Sequence, residues 1–414
     1  MADAFIIDTC RTPRGIGKIG KGSLAHIHPH KLAATVLKAL AERNNLNTED
    51  VNDIIWGCNK QSGKQSADLG RMAALEAGYS VLASGVTLDR FCGSGITAVS
   101  LAAAQVMSGM EDLVIGGGTE MMSYTGSLKE SENAYPLFDS GNLSLREKHP
   151  QSNQGVCADA IATIEGIDRD SLDKLAVVSQ QRADRAIKEN RFAGSLIPVL
   201  NDDGSVALDR EEFPRPGTST ESLAGLNAVF SQWHGATVDE TGDTFGGLIE
   251  KVYPQLKQWN HVHHAGNSSG VVDGAAAVLL ASKDYVEENG LTPRARIVAT
   301  VNIGDCPTLM LNAPVPAAKK VLAKANLNKE DIDVWEINEA FAVVAEKFIR
   351  DLDLDREKVN INGGAMALGH PIAATGSILI GTALDELERS GGRYGLITMC
   401  AGGGMAPAMI IERI

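Results

Sequence analysis

Two stretches far apart in the chain carry one pattern: Leu32-Ala-Ala-Thr-Val-Leu-Lys-Ala-Leu, then Leu46-Asn-Thr-Glu-Asp-Val, and Ala317-Ala-Lys-Lys-Val-Leu-Ala-Lys-Ala, then Leu327-Asn-Lys-Glu-Asp-Ile. Each reads as an amphipathic helix, a turn with Asn ahead of acidic residues, and a short apolar strand, Ile54-Ile-Trp56 or Val334-Trp-Glu-Ile337. Self-similarity over so long a range reports architecture before any motif does. The echo continues. Gly85-Val-Thr-Leu leads into the glycine turn at Cys92 and a long helix, as Val359-Asn-Ile-Asn leads into Gly369-His370-Pro371 and another helix. Two similar α/β halves are expected, with an active site where their loops meet.

The expected division is a first half at 1–123, an inserted loop-rich segment at 124–263, a return to the first half at 264–285, and a second half at 286–414. The insertion is marked by polar and Pro-containing stretches such as Phe213-Pro-Arg-Pro-Gly and by a helix over Ser171 to Glu189. Within it, Ser231 to Val262 carries Trp233, Tyr253 and Trp259 and reads as a further local insertion. It is either a solvent-exposed excursion or a partner-docking surface.

The 414 residues, 44% hydrophobic and 22% charged, suffice for several cores in a globular protein. With 43 glycines against 5% aromatics, tight turns and close backbone packing are favoured. A formal charge of −14 argues against nucleic acid or an anionic membrane as the main partner, so any phosphate-bearing ligand needs local cations. The apolar run around Ile96 to Met107 reads as too short and interrupted for a bilayer, and no transmembrane segment is expected. No basic, apolar leader precedes the strand-like run Ala4 to Asp8, and the terminal Glu412-Arg413-Ile414 is no recognised address, so a cytoplasmic protein is expected. Six cysteines without a CxxC pair fit neither a disulfide framework nor a metal site, and read as free thiols.

Four residues could do chemistry. Cys92, in Asp89-Arg-Phe-Cys-Gly-Ser-Gly-Ile, stands at a helix N-terminus, where free N–H groups favour thiolate; the plain alternative is a buried cysteine beside a glycine turn. His370, in Gly369-His-Pro-Ile-Ala-Ala-Thr-Gly, has its backbone fixed by the following proline and could accept a thiol proton, or be a hydrogen-bonded structural histidine. Cys400 opens Cys-Ala-Gly-Gly-Gly after a strand, a run of bare N–H groups that can cradle an oxyanion or simply turn tightly. Asn338, in Asn-Glu-Ala-Phe341, leaves a strand's carboxyl end as an aimed amide or a helix cap.

As a set, at strand-to-turn junctions in both halves, these residues resemble the thiolase family. The resemblance covers nearly the whole chain, adding Gly116-Gly-Gly-Thr-Glu-Met-Met, Ser179-Gln-Gln-Arg-Ala, Arg191-Phe-Ala, Ala265-Gly-Asn-Ser-Ser-Gly with Asp273-Gly-Ala, and Asn362-Gly-Gly-Ala. It implies duplicated α/β halves in a layered αβαβα arrangement with an inserted loop domain. It also implies an acyltransferase that cleaves 3-ketoacyl-CoA with CoA, or runs the Claisen condensation in reverse, through an acyl-cysteine. On this resemblance Cys92 is the nucleophile, His370 its base, Cys400 the second, proton-transferring cysteine and Asn338 the amide that orients a water. Two oxyanion sites follow, one from His370 with Asn338 and one from the N–H groups of Cys92 and Gly402. Arg215 and Ser222 are expected at the adenine nucleotide of CoA, Ser269 at its pantetheine arm, and Gln154 in the acyl pocket. Coenzyme A enters as substrate, with no permanently bound cofactor and no metal.

Further similarity to the thiolase subunit of bacterial fatty-acid oxidation complexes, in His263-His-Ala-Gly-Asn-Ser-Ser-Gly-Val-Val-Asp-Gly and Lys358-Val-Asn-Ile-Asn-Gly-Gly, implies fatty acid β-oxidation, a homodimer or dimer of dimers, and a hydratase/dehydrogenase subunit as a partner. A biosynthetic acetoacetyl-CoA thiolase is the alternative, and a non-catalytic CoA-binding relative, a ketosynthase and a cysteine hydrolase are the more distant ones. Four positions depart from the family pattern. Asp89 stands for Asn and could raise the thiol's pKa, Ala373 and Ala406 stand for Gly and could tighten the channel, and Gln154 stands for Met.

Overall fold

The computed structural model describes residues 2–128 and 137–414. Residues 129–136 of the expected insertion lie outside the described residues.

Strands β1 (Phe5–Arg11), β2 (Gly15–Ile16), β3 (Asp53–Gly57), β4 (Val86–Leu88) and β5 (Leu113–Met121) come first, a short hairpin of β6 (Val199–Leu200) and β7 (Val206–Leu208) follows, and β8 (Val272–Ala281) returns to pair with β1 and β5. The second half is built from β9 (Ala295–Gly304), β10 (Val334–Ile337), β11 (Tyr394–Thr398) and β12 (Met405–Arg413). The main sheet runs β10-β11-β12-β9-β1-β8-β5-β3-β4. Its two halves join where Phe5 faces Arg296 and Ile6 faces Ala295. On either side of that joint the order repeats, β1-β8-β5-β3 and β9-β12-β11-β10, with two antiparallel pairings and then a parallel one. The duplication in the sequence is therefore a duplication of topology.

One copy is truncated. In the first half β4 adds a parallel strand to β3, whereas the corresponding Val359 makes only an isolated parallel bridge to Trp335. Asn360 turns left-handed (φ +47°), and its side chain bonds back to the N–H and C=O of Ile337, which ends the strand after one residue.

Five layers result. The helices Pro29–Arg43 and Leu69–Glu76 cover one sheet through Leu32, Val36, Leu37, Leu69 and Ala73. Pro314–Ala325 and Ala342–Leu352 cover the other through Val321, Val344 and Phe348. Between the sheets lie Ser94–Ser108 and Thr375–Ser390, whose Ile96, Val99, Leu379 and Leu384 pack against both. A helix buried on all sides is apolar all round. Phe91–Ser108 is thereby long and apolar enough to cross a membrane by composition, against the expectation for this stretch, yet 67% of it is buried inside the protein. It is the core of the middle layer.

The insertion is more ordered than its polarity suggests. The expected helix over Ser171 to Glu189 is Arg169–Lys188, started two residues earlier because Asp168 caps it by accepting from Ser171 N–H. The stretch Ser231 to Val262, read as an exposed excursion or a docking surface, is anchored from within: Phe245, Leu248, Ile249, Leu256 and Val262 belong to the same core as Trp335 and Phe348. Trp259 donates to Glu250 and stacks on His261, and Trp233 alone of the three aromatics is an exposed one, at 42%. The buried carboxylate of Glu211, bonded to Arg11 (2.6 Å) and Arg14 (2.7 Å), ties the insertion to the first strand.

The middle helices meet at backbone distance. A Cβ on Gly376 would stand 2.2 Å from the Ile96 nitrogen, and one on Gly118 2.2 Å from the Ala373 oxygen. Gly376→Ala should therefore cost roughly 1–3 kcal/mol as an overpacked core position. Urea unfolding should show a lower midpoint at unchanged slope.

Candidate active site

Cys92, Asn338 and Cys400 each follow the carboxyl end of a strand, β4, β10 and β11. The parallel pairing of β10 with β11 sets Ile337 beside Thr398, and Asn338 N–H then donates to Thr398 O (3.2 Å), so the Asn338 and Cys400 segments leave the sheet side by side. His370 reaches the same place by another route. The segment Asn267 to Gly270 stitches the two loops together: Ala342 N–H donates to Asn267 O, Ser269 N–H to Ala340 O, and His370 N–H to Gly270 O.

The Cys92 turn is held from both sides. Phe91 is left-handed (φ +50°), a conformation stabilised by Asp89 Oδ1 accepting from Phe91 N–H (2.7 Å) and by Ser94 Oγ, which accepts from Arg90 N–H and donates to Phe91 O. Gly93 lies where a Cβ would stand 3.4 Å from the Ala401 Cβ, so the nucleophile turn packs on the Cys400 loop. Gly402 is packed against the Phe91 and Phe138 rings, and Gly403 and Gly404 are left-handed (φ +75° and +77°), a path that glycine takes without strain.

The electrostatics correct one expectation. Cys92 stands before the helix Ser94–Ser108, yet its thiol is pushed up, first by burial and then by Cys400, while its own N–H pulls it down and Glu120 and Asp89 add small upward effects. Desolvation outweighs the helix terminus. Burial likewise pushes Cys400 up to about 12 and His370 down to about 4, so all three groups rest neutral. The Thr375 hydroxyl donates to Pro371 O (3.0 Å), hence its oxygen accepts from His370 Nδ1–H (2.5 Å). That leaves Nε2 as the basic nitrogen. Asn338 Nδ2 lies 3.4 Å from it, and Asn338 Oδ1, buried, has no partner among the described residues.

The CoA candidates share one rim. Phe213, over which the Arg215 guanidinium sits at 5.5 Å, packs on Gly270, and Leu223, next to Ser222, packs on Gly266. Arg215 and Ser222 are exposed and Ser269 is partly so. The Ser222 hydroxyl is engaged in the cap of the helix Thr220–Ala224, exchanging hydrogen bonds with Ser219. Gln154 opens the helix Gln154–Ile164, whose Gly155 packs on Phe230, which in turn meets Phe341 edge-on at 5.7 Å. The methyls of Ala373 and Ala406 are buried, as are Cys92, His370 and Cys400.

Two residues without an assigned role in the sequence hold this site in place. Thr375 fixes the tautomer of His370. Buried Glu339 accepts from Ser179 Oγ (2.7 Å), Asn360 Nδ2 (2.9 Å) and Met366 N–H (3.2 Å), joining the Asn338 turn to the loop that ends in His370. Their signal was adjacency, five residues after His370 and one after Asn338.

Family models agree with this architecture: that for the thiolase N-terminal domain matches residues 4–242, and that for the thiolase C-terminal domain matches 291–413. A β-ketoadipyl-CoA thiolase of Acinetobacter baylyi is 38% identical over 100% of both chains. A steroid 3-ketoacyl-CoA thiolase of Mycobacterium tuberculosis is 37% identical over 100% of this chain and 95% of its own length, and an acetyl-CoA acetyltransferase of Cupriavidus necator 36% over 100% of both.

The depressed His370 makes a prediction about pH. Unfolded, its pKa returns to 6.5, so between 6.5 and about 4 the unfolded chain binds the extra proton and stability falls as pH falls. The loss should approach roughly 3 kcal/mol by pH 4. Unfolding free energies measured from pH 7 to 4.5 should slope less steeply in His370→Asn; equal slopes would refute the neutral, buried imidazole.

Proposed function

The chain belongs to the thiolase family, and from that premise we propose how its residues carry out the thiolytic cleavage of a 3-ketoacyl-CoA. The observation that carries the reading is the packing of the Cys92 turn on the Cys400 loop with His370 Nε2 turned toward Asn338. His370 Nε2 takes the Cys92 proton, and the thiolate attacks the 3-keto carbon. The C2–C3 bond breaks, Cys400 gives its proton to C2 of the departing enolate, and acetyl-CoA leaves with the acyl group on Cys92. Cys400 thiolate then deprotonates a fresh CoA, which attacks the acyl-cysteine. Cys92 leaves as thiolate and recovers its proton from His370, which closes the cycle. The same steps in reverse are the Claisen condensation.

Negative charge on oxygen arises twice. The N–H groups of Cys92 and Gly402 receive it at the acyl carbonyl, and His370 with a water on Asn338 at the thioester oxygen of the enolate. The unpartnered Asn338 Oδ1 supports the water's place. Arg215 and Ser222 hold the nucleotide of CoA and Ser269 its pantetheine arm, an arrangement supported by their common rim beside the His370 loop; Gln154 lines the acyl pocket. Coenzyme A is substrate, and no permanently bound cofactor or metal takes part. The division at 1–123, 124–263, 264–285 and 286–414 belongs to the same reading, supported by the return of β8 to β1 and β5.

We infer a degradative acetyl-CoA C-acyltransferase in a cytoplasmic setting, supported by six free thiols. The candidate ketoacyl chains are a fatty-acid series and those in the relatives' names, β-ketoadipyl-CoA and a steroid 3-ketoacyl-CoA. A homo-oligomer is supported by the sheet's edge. β4 is paired only with β3, and Val81, Leu82 and Val86 beside it are exposed at 75%, 67% and 45%. A hydratase/dehydrogenase subunit would find Trp233 as its exposed aromatic contact.

Thiolysis of acetoacetyl-CoA, longer 3-ketoacyl-CoA and 3-oxoadipyl-CoA should require CoA and vanish in Cys92→Ala. Cys400→Ala should lower kcat by roughly 10²–10⁴, the usual size of a general acid–base contribution. CoA-independent loss of substrate would refute the reading. Val86→Lys should shift the protein to monomer in size-exclusion chromatography, and an unchanged mass would move the interface elsewhere.

A further inference from the structure

A cleft of about 400 Å³ opens between the helices Arg169–Lys188 and Ala342–Leu352, and none of the residues assigned to catalysis or CoA lines it. Its walls are apolar, with Leu175 and Val178 facing Ala345 and Ile349, and Val359 closing one end. Its mouth is charged. Lys174, Arg182, Arg350 and Arg356 stand there with the carboxylates of Glu346 and Glu357, and Lys174 is paired with Asp170 (2.6 Å) and Arg182 with Glu357 (3.0 Å).

The cations are not equally committed. Arg356 grips buried Glu346 with both Nη atoms (2.7 Å each), and Arg182 donates to the Val359 and Arg356 carbonyls. Arg350 gives Glu346 only its Nε (2.6 Å), so its two Nη groups have no partner among the described residues. Half-exposed at the mouth, they form a fork for a carboxylate. The volume falls within the roughly 300–1,000 Å³ of ligand sites.

We infer that this cleft is a second ligand site, for a small amphipathic carboxylate whose aliphatic body lies along Leu175, Val178 and Ile349 and whose head takes the Arg350 fork. Its floor gives the site a consequence. Ser179, Glu339 and Asn360 close it, and Glu339 is the group that joins the Asn338 turn to the His370 loop. A ligand there rests on the support of the catalytic residues without touching them.

The probe is octanoate, titrated calorimetrically into the full-length protein with CoA saturating. One site per chain is expected, with affinity at least tenfold weaker for 1-octanol, for Arg350→Ala and for the cleft-filling Val178→Trp, both variants keeping wild-type melting temperature and thiolysis. Absence of binding, displacement of octanoate by CoA, or affinity unchanged in both variants would overturn the site. So would a change of oligomeric mass in Arg350→Ala, which would mean that a second copy covers the cleft.

Discussion

The backbone oxygen of Ala373 limits how near the two halves can come, and the active site exists because they come all the way. A Cβ on Gly118, Gly95 or Gly57 would stand 2.2, 2.8 or 3.1 Å from that one atom. Three glycines from the first half thus accept the turn that follows His370 in the second. Since the Cys92 turn opens the helix containing Gly95, and Thr375 with its bond to His370 opens the helix containing Gly376, nucleophile and base are placed by the contact of the same two helices. The close approach does for geometry what a longer side chain could not, because a backbone contact has no rotamers to choose among.

Burial then sets the chemistry. Two thiols and an imidazole taken out of water all move toward their neutral forms, and three carboxyl groups around them, Glu120, Glu336 and Glu339, are pushed up for the same reason. With both thiols and the imidazole neutral at rest, the reacting groups lose little by being buried. Ion pairs appear only as protons move, at atoms already faced by N–H groups or by an amide, so the donors need little rearrangement when charge develops.

How much of this was legible in the sequence follows from what kind of interaction recorded it. Period and echo record topology, and the repeated helix, turn and strand gave the duplicated halves and β10 to the residue, because each copy must bury the same face. Motifs with backbone demands, such as Gly369-His370-Pro371 and the glycines after Cys400, identified the turns. The insertion was read as looser than it is, since its apolar residues are scattered and join a core supplied mostly by the second half. The cost of desolvating Cys92 was invisible too: a helix terminus is seen in a local pattern, whereas burial depends on the opposite sheet. Glu339 escaped for the same reason, its three partners being 21 to 160 residues away.

Asp89 shows how such a reading is resolved. As a carboxylate three residues before the nucleophile, in place of an amide, it could have retuned the thiol. Its Oδ1 instead accepts from Phe91 N–H and from Asn59 Nδ2 (3.2 Å), and the group is exposed. An asparagine oxygen could accept the same two bonds, so the substitution leaves the left-handed turn intact and adds only a charge. Water screens that charge, and its upward push on Cys92 ranks behind burial, Cys400 and Glu120. What the position must supply is an acceptor at the correct distance from Phe91, and the nucleophile's acidity is decided by the layers that enclose it.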